Sequence, residues 1–480
     1  MKRKHFIQAI GNTAIVSFVL SPSSLFSKPK PAQKKSNKGT GFFIPKNTIE
    51  SLPHRESYWG VVAKNFNRPQ GFVNLENGYF SHQPIATLDY HGEAEALINT
   101  QSSYFMRSEQ GKAIEDARNT FARFQGWDKE EVAFTRNTTE SLNTIIMGSH
   151  WQLGDEVVIG DQDYGSMVEA FQQASARWGI LIKVAQIPLN PASDQEIIQA
   201  YVQQITMRTK MLHVTHMINL NGHLIPVQAI VREAKQKQPN LVVVVDAAHS
   251  LAHIPSDLSE LSNAGADIIG GSLHKWLCNP IGVGFLYVKR SLIREIWPLM
   301  GDIGMEKDNI RKFEHQGTRP INSLQTISKA IAFHRLLGAT SKYNRLLYLK
   351  LLWTGNKKAL EIFGKSLGIF SDPEYQQNMN AVHDLSKFDT FKLQSPLFPF
   401  SRGGAIATAS IDGYTPTELA SILMTKFAIF TVGILHPIVR GVRVTPHLSN
   451  AAADCIALNK AFTTLCTDLI PHNESIPTKK

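Results

Sequence analysis

GGSLHKWLCNPIGVGFLYV, residues 270–288, carries one lysine, Lys275, between a histidine and a tryptophan. The chain before it (ADIIGG, 266–271) and after it (VGFLYV, 283–288) is apolar, as in strands buried on both faces of a sheet. Alone, such a lysine reads as a surface side chain whose stem covers apolar neighbours. Its companions change that reading. LVVVVD (241–246) ends on Asp246, a carboxylate strongly disfavoured there unless something cationic meets it. Asn219 follows KMLHVTHMI (210–218), and Ser272 and His274 follow ADIIGG. Thr138 and Thr139 stand in TRNTTESLN, ahead of a helical pattern whose first-turn amides can hold an anion. In open α/β sheets, ligands bind beyond the carboxyl ends of the strands, where these residues fall. A lysine nucleophile, an acid for a pyridinium and a phosphate cradle are the parts that hold pyridoxal 5'-phosphate.

Further strand patterns are EVVIG (156–160) and ILIKVAQI (180–187), and helical stretches such as VQAIVREAKQK (227–237) lie between the strands. This is the β–α alternation of an α/β domain with a mostly parallel sheet. After about residue 335 the pattern turns helical and then mixed, as expected of a smaller α+β domain. The expected divisions are an N-terminal substrate-pocket segment over 51–90, a large domain over 91–335, a small one over 336–470 and a tail over 471–480.

The net charge of +10 does not mark a nucleic-acid-binding face. Eight Lys and Arg and no acid lie within residues 1–40, and without those eight the remainder carries +2. MKRK followed by the apolar stretch Ala9–Leu20 reads as a cleaved signal peptide over 1–27. The stretch is too short for an ordinary membrane span, so no anchor is expected in the mature form. RKHFIQ resembles a twin-arginine signal with Lys4 in the second arginine's place; on the motif alone, an ordinary secretion signal fits equally. Residues 28–50 read as a flexible basic linker. The expected location is a bacterial periplasm or the exterior. Three cysteines and no CxxC argue against a disulfide framework and a metal site. No strand is followed by GxGxxG or GxxxxGK[ST], which sets aside a nucleotide enzyme.

VVVVDAAHS, a spacer of about 20 residues and then GGSLHKWLCNPIGVGFLYV together resemble the class V aminotransferase-fold enzymes of the fold-type I pyridoxal-phosphate superfamily. Within it the likeness is to the isopenicillin N epimerase and cysteine desulfurase branch, over residues 70–455. The resemblance implies that Lys275 holds the cofactor as a Schiff base and is the catalytic residue. It implies that Asp246 pairs with the ring nitrogen, and that His249 and Asn219 contact the phenolic oxygen. Thr138 and Thr139 match the phosphate loop, with Ser272 and His274 adding contacts. Tyr164 matches an aromatic ring over the cofactor. Thr318, in HQGTRP, matches a residue reaching the neighbouring subunit's phosphate, which implies a homodimer. Arg443, in GVRVTPHLSN, matches the arginine that grips a substrate carboxylate. Asn77 and Gly78, in NLENGYFSHQP, match a segment lining the substrate pocket.

The resemblance has a gap. Cysteine desulfurases of the branch carry a nucleophilic cysteine before that arginine, and FAIFTVGILHPIVRGVRV has none. The expected function is therefore an exported enzyme acting at Cα of an amino acid or related amine, of the aminotransferase or epimerase type. A lyase performing elimination or C–S cleavage, and a catalytically silent binding protein, are the alternatives. Simpler readings stand beside several residues: a helix cap for Asp246, core packing for Tyr164 and a turn for Thr318. His82, His216, His223 and His253 read as structural, and Arg107 and Arg136 as surface or structural residues.

Overall fold

A short strand, β1 (Val73–Asn74), precedes the seven strands of a central sheet: β2 (Val132–Thr135), β3 (Glu156–Gly160), β4 (Leu181–Ala185), β5 (Thr209–Thr215), β6 (Val242–Asp246), β7 (Ile268–Ser272) and β8 (Gly284–Val288). The computed structural model describes residues 41–45, 51–302, 304–397 and 399–468. The signal-peptide reading and the tail lie outside the described residues, as does nearly all of the linker. Phe42 onward forms one compact unit.

The sheet order is β2-β8-β7-β6-β5-β3-β4, with every neighbouring pair from β4 to β7 parallel and β8 antiparallel to both β7 and β2. This is the α/β fold with a mostly parallel central sheet that the sequence implied. Apolar runs become interior strands because both faces are covered. Val243 and Val245 of β6 pack in one core with Ile230 of the helix Val227–Lys237. Val244 packs in the other, with Ile145 of the helix Thr138–Gly148 and Phe171 of the helix Gly165–Trp178. β4, at the sheet edge, stays half-exposed. β2 escaped the sequence reading, because four residues are too few for a period to show.

A second, antiparallel sheet is built from β9 (Phe391–Leu393), β10 (Ala407–Ile411), β12 (Val432–Leu435) and β13 (Arg440–Val444), in the order β12-β13-β10-β9. Its core is shared with the helices Ala339–Thr354 and Ala452–Asp468. β11 (Ile429–Phe430) pairs in parallel with β1 as a separate two-stranded sheet, and a bridge between Glu76 and Thr445 joins the segment around residues 73–78 to the end of β13.

Gly284 of β8 marks a close approach between sheet and helix. A Cβ there would lie 2.7 Å from the backbone Cα and carbonyl carbon of Asn137, the N-cap of the helix Thr138–Gly148. Gly284→Ala is expected to cost about 1–3 kcal/mol by overpacking, read as a lowered denaturant midpoint at unchanged slope.

Candidate active site

The parallel strands end together, and their carboxyl ends line one pocket. Thr215 closes β5, Asp246 closes β6 and Ser272 closes β7; Lys275, His274 and Ala248 follow them at the rim. Thr138 and Thr139 enter from the turn after β2, and Tyr164 from the turn after β3. Arg443 reaches in from β13 of the smaller sheet, and Gly78 to Phe80 from the N-terminal segment.

One side of the pocket is an anion cradle. The helix Thr138–Gly148 opens on Asn137, whose side chain accepts from the Glu140 amide at 2.9 Å. The Thr138 amide donates to Ser272 Oγ at 2.9 Å, and the Thr138 and Ser272 hydroxyls are 2.6 Å apart. Hydroxyls and a helix N-terminus face the same space, with His274 and Lys275 near by, which suits a dianionic phosphate.

Across from it lies Asp246, 3% exposed. Its Oδ1 accepts from the Ala248 amide at 2.8 Å, and no cation among the described residues stands within ion-pair distance. Burial raises its pKa, against the pull of His213 and the Ala248 hydrogen bond. His213 is itself buried and paired with Asp163 at 2.8 Å, and Thr215 donates to Asp163 at 2.6 Å. The position is thus a buried carboxylate on the pocket wall that lacks a cationic partner, and a protonated ring nitrogen fits it.

Lys275 Nζ lies 3.0 Å from His249 Nε2, and Trp276 Nε1 donates to His249 Nδ1 at 3.3 Å. A neutral imidazole has one proton. With Nδ1 accepting from the indole, that proton is on Nε2 and points at Nζ. Only an unprotonated amine can accept it. Burial agrees: it lowers the Lys275 pKa to about 8, with Arg443 lowering it further and Asp246 and Glu76 opposing. The same burial, with Lys275 near by, drives His249 well below its ordinary value, so the ring stays neutral. Trp276 is 1% exposed and packs against His253, with ring centroids 3.8 Å apart.

Tyr164, 40% exposed, presents its side chain to the pocket, so the core-packing reading does not hold. Asn219 lines the pocket with its side-chain Oδ1 lacking a partner among the described residues. Two sequence-expected residues are placed elsewhere. Asn77 is fully buried, and its side chain donates to the Thr445 carbonyl at 3.0 Å. It holds the segment down rather than facing the pocket. Thr318 is exposed and lies outside the pocket of its own chain. His253 is structural: Nε2 accepts from the Ala405 amide at 2.9 Å and Nδ1 lies 3.0 Å from the His249 carbonyl oxygen. Arg107 is exposed, and Arg136 pairs with Glu140 at 3.1 Å. Cys278 is buried with Sγ 3.4 Å from His447 Nε2, and none of the three cysteines lines the pocket.

Sequence reasoning missed Asn137, Trp276 and Glu76. The first two are neighbours of residues it named, and spacing alone gave them no role. Glu76 Oε1 accepts from Arg443 Nη2 at 2.5 Å, with both side chains less than 10% exposed. It stood in NLENGYFSHQP beside Asn77, an acid in a segment read only for its Asn–Gly pair.

Sheet, cradle, buried carboxylate and a lysine of lowered pKa define a fold-type I pyridoxal-phosphate enzyme. The chain belongs to the aminotransferase class-V family, whose model matches residues 86–351. Pyridoxal 5'-phosphate is the cofactor. The chain is similar to the isopenicillin N epimerase of Streptomyces clavuligerus, 25% identical over 282 residues, covering 55% of this chain and 70% of that one. It is also similar to the hercynylcysteine sulfoxide lyase of Schizosaccharomyces pombe, 23% identical over 355 residues, covering 71% and 88%. In fold it resembles a cysteine desulfurase from Thermococcus onnurineus NA1, with a TM-score of 0.67 at 19% identity over 85% of this chain and 98% of that one.

The hydrogen-bond chain predicts a direction for Trp276→Phe. Without the indole N–H, His249 can carry its proton on Nδ1 and accept from an ammonium at Nε2, so the Lys275 pKa rises above about 8. The midpoint of the pH profile for cofactor capture by the apoprotein should move to higher pH. An unchanged midpoint means that the tautomer is not set by Trp276.

Proposed function

We propose that this protein is an exported pyridoxal-phosphate enzyme acting at Cα of an amino acid or related amine, of the aminotransferase or epimerase type. The observation that carries the reading is the Lys275 amine, hydrogen-bonded to His249 and lowered by burial to a pKa of about 8, in the same pocket as the buried Asp246 carboxylate. The bound cofactor supplies an aldehyde that captures amines and an electron-poor ring that withdraws the electron pair of a Cα bond.

The residues divide the work in this reading. The Thr138–Ser272 cradle and His274 hold the phosphate. Asp246, a buried carboxylate on the pocket wall, would favour a protonated ring nitrogen placed beside it. Tyr164, Asn219 and His249 line the same pocket, where Tyr164 would offer an aromatic face and the other two polar contacts to the bound cofactor. Lys275 would hold the cofactor, and its free Nζ, with a pKa of about 8, would serve as a base for the Cα proton. His249 orients that amine through Nε2. Thr318 serves the pocket of a second copy, which makes a homodimer part of the proposal.

A lyase reading has support from the hercynylcysteine sulfoxide lyase, whose likeness spans 88% of that protein. It shares the first proton transfer and differs in what leaves afterwards. A desulfurase that uses a cysteine nucleophile lacks one here, because Cys278, Cys455 and Cys466 are all buried away from the pocket.

Purified protein should be yellow, and borohydride should fix the cofactor covalently to the peptide containing Lys275. In Lys275→Ala, borohydride should leave no covalent adduct. Capture of the cofactor by apoprotein should quicken as pH rises and level off above about 8, because the free amine is the nucleophile; an ordinary lysine would still be gaining at about pH 10. Deleting residues 1–27 should leave the protein in the cytoplasm with cofactor binding intact, and blocking the twin-arginine route should stop export of the full chain.

A further inference from the structure

The arginine expected to grip a substrate carboxylate already grips one. Arg443 Nη2 donates to Glu76 Oε1 at 2.5 Å, and Arg443 Nε donates to Glu76 Oε2 at 3.3 Å. These two parallel bonds use the side-on edge of the guanidinium, the geometry in which a free carboxylate binds arginine most specifically. Nη1 is engaged as well, donating to the Asn219 backbone carbonyl at 3.1 Å.

Glu76 is fixed in this place by its own surroundings. Its backbone amide donates to Asn74 Oδ1 at 3.0 Å, and the next amides, of Asn77 and Gly78, donate to Thr445 Oγ1 at 2.6 and 2.9 Å. The Tyr79 amide donates to Glu76 Oε1 at 3.2 Å, and Thr445 Oγ1 donates to Glu76 Oε2 at 3.3 Å. Gly78 permits the approach, since a Cβ there would lie 2.9 Å from Thr445 Cγ2. Displacing the carboxylate from Arg443 would strand a charge that is 6% exposed, with only an amide and a hydroxyl for partners.

We infer that Glu76 sets the substrate class: by neutralising Arg443 it selects primary amines whose Cα carries no carboxylate, over α-amino acids. This rests on the proposal that Lys275 and its cofactor receive an amine in this pocket, and it narrows that substrate to the amine side. The remaining charges support it. Lys275 and Asp246 face the cofactor, and His249 and His274 are kept neutral by burial, His274 at about 4. With Glu76 in place, the Arg443 end has no unbalanced positive charge to offer an anion. Selection works by an internal carboxylate competing for the same fork, which favours one substrate class by rejecting another.

The test uses holoenzyme with Glu76→Gln, which keeps shape and hydrogen bonding but drops the charge, and Glu76→Asp, which keeps the charge. Propionate, a carboxylate with no amine, is titrated by calorimetry. It should bind Glu76→Gln at least tenfold more tightly than wild type, with Glu76→Asp close to wild type. Ethylamine and alanine are then compared through the cofactor spectrum. Wild type should favour ethylamine, and Glu76→Gln should shift the ratio of the two affinities towards alanine by tenfold or more. Equal propionate affinity in wild type and Glu76→Gln, or an amine-to-amino-acid ratio that the substitution moves by less than threefold, overturns the inference. Holoenzyme that is colourless in all three proteins would instead strike the cofactor reading, whatever propionate does.

Discussion

The site depends on a proton count. His249 has one proton to give, and the Trp276 indole has already claimed its Nδ1 as an acceptor. The proton on Nε2 therefore points at Lys275, and the bond favours the unprotonated amine. Burial and Arg443 push the same way, while Asp246 and Glu76 pull back. The outcome is a pKa of about 8: low enough for a nucleophile and base near neutrality, yet high enough to take up a proton. Neither histidine nor tryptophan touches the chemistry as acid or base in this account. They position and they set charge.

Much of this arrangement was legible because it lies in contiguous motifs at strand ends. The run LVVVVD announces both a buried strand and a carboxylate that must be satisfied at its end, and β6 ends on Asp246 as read. The cradle is a helix N-terminus preceded by a strand, and TRNTTESLN carries it whole. Other parts were hidden for physical reasons. The Glu76–Arg443 pair joins residues 367 apart, and no local pattern encodes which acid meets which base. Asn77 was expected at the pocket and turned inward, because its amide side chain satisfies the Thr445 carbonyl where β1 runs beside β11. Thr318 belongs to a turn that its own chain leaves exposed.

The two sheets contribute unequal things. The seven-stranded sheet supplies the groups around the cofactor: Asp246, Ser272, the cradle helix and Lys275 all follow directly from its strands. Their positions are set by strands of one sheet buried on both faces, parallel from β4 to β7 and antiparallel through β8 to β2. The four-stranded sheet supplies Arg443, and the N-terminal segment bound to its flank supplies Glu76. The residues proposed to choose a substrate thus hang on a different support from those proposed to perform the reaction.

That separation has a consequence for how the chemistry can vary. Arg443 and Glu76 are joined through Thr445, whose hydroxyl receives the Asn77 and Gly78 amides and whose backbone amide donates to the Leu75 carbonyl at 2.7 Å. The acid and the base are thus held chiefly by the smaller sheet and the N-terminal segment, with one further bond from Arg443 Nη1 to the Asn219 carbonyl beyond β5. In the proposed reading a loss of charge at position 76 alters what the pocket admits, and it also lowers the Lys275 pKa, which Glu76 raises. Because both side chains are less than 10% exposed, such a change is screened less than one at the surface.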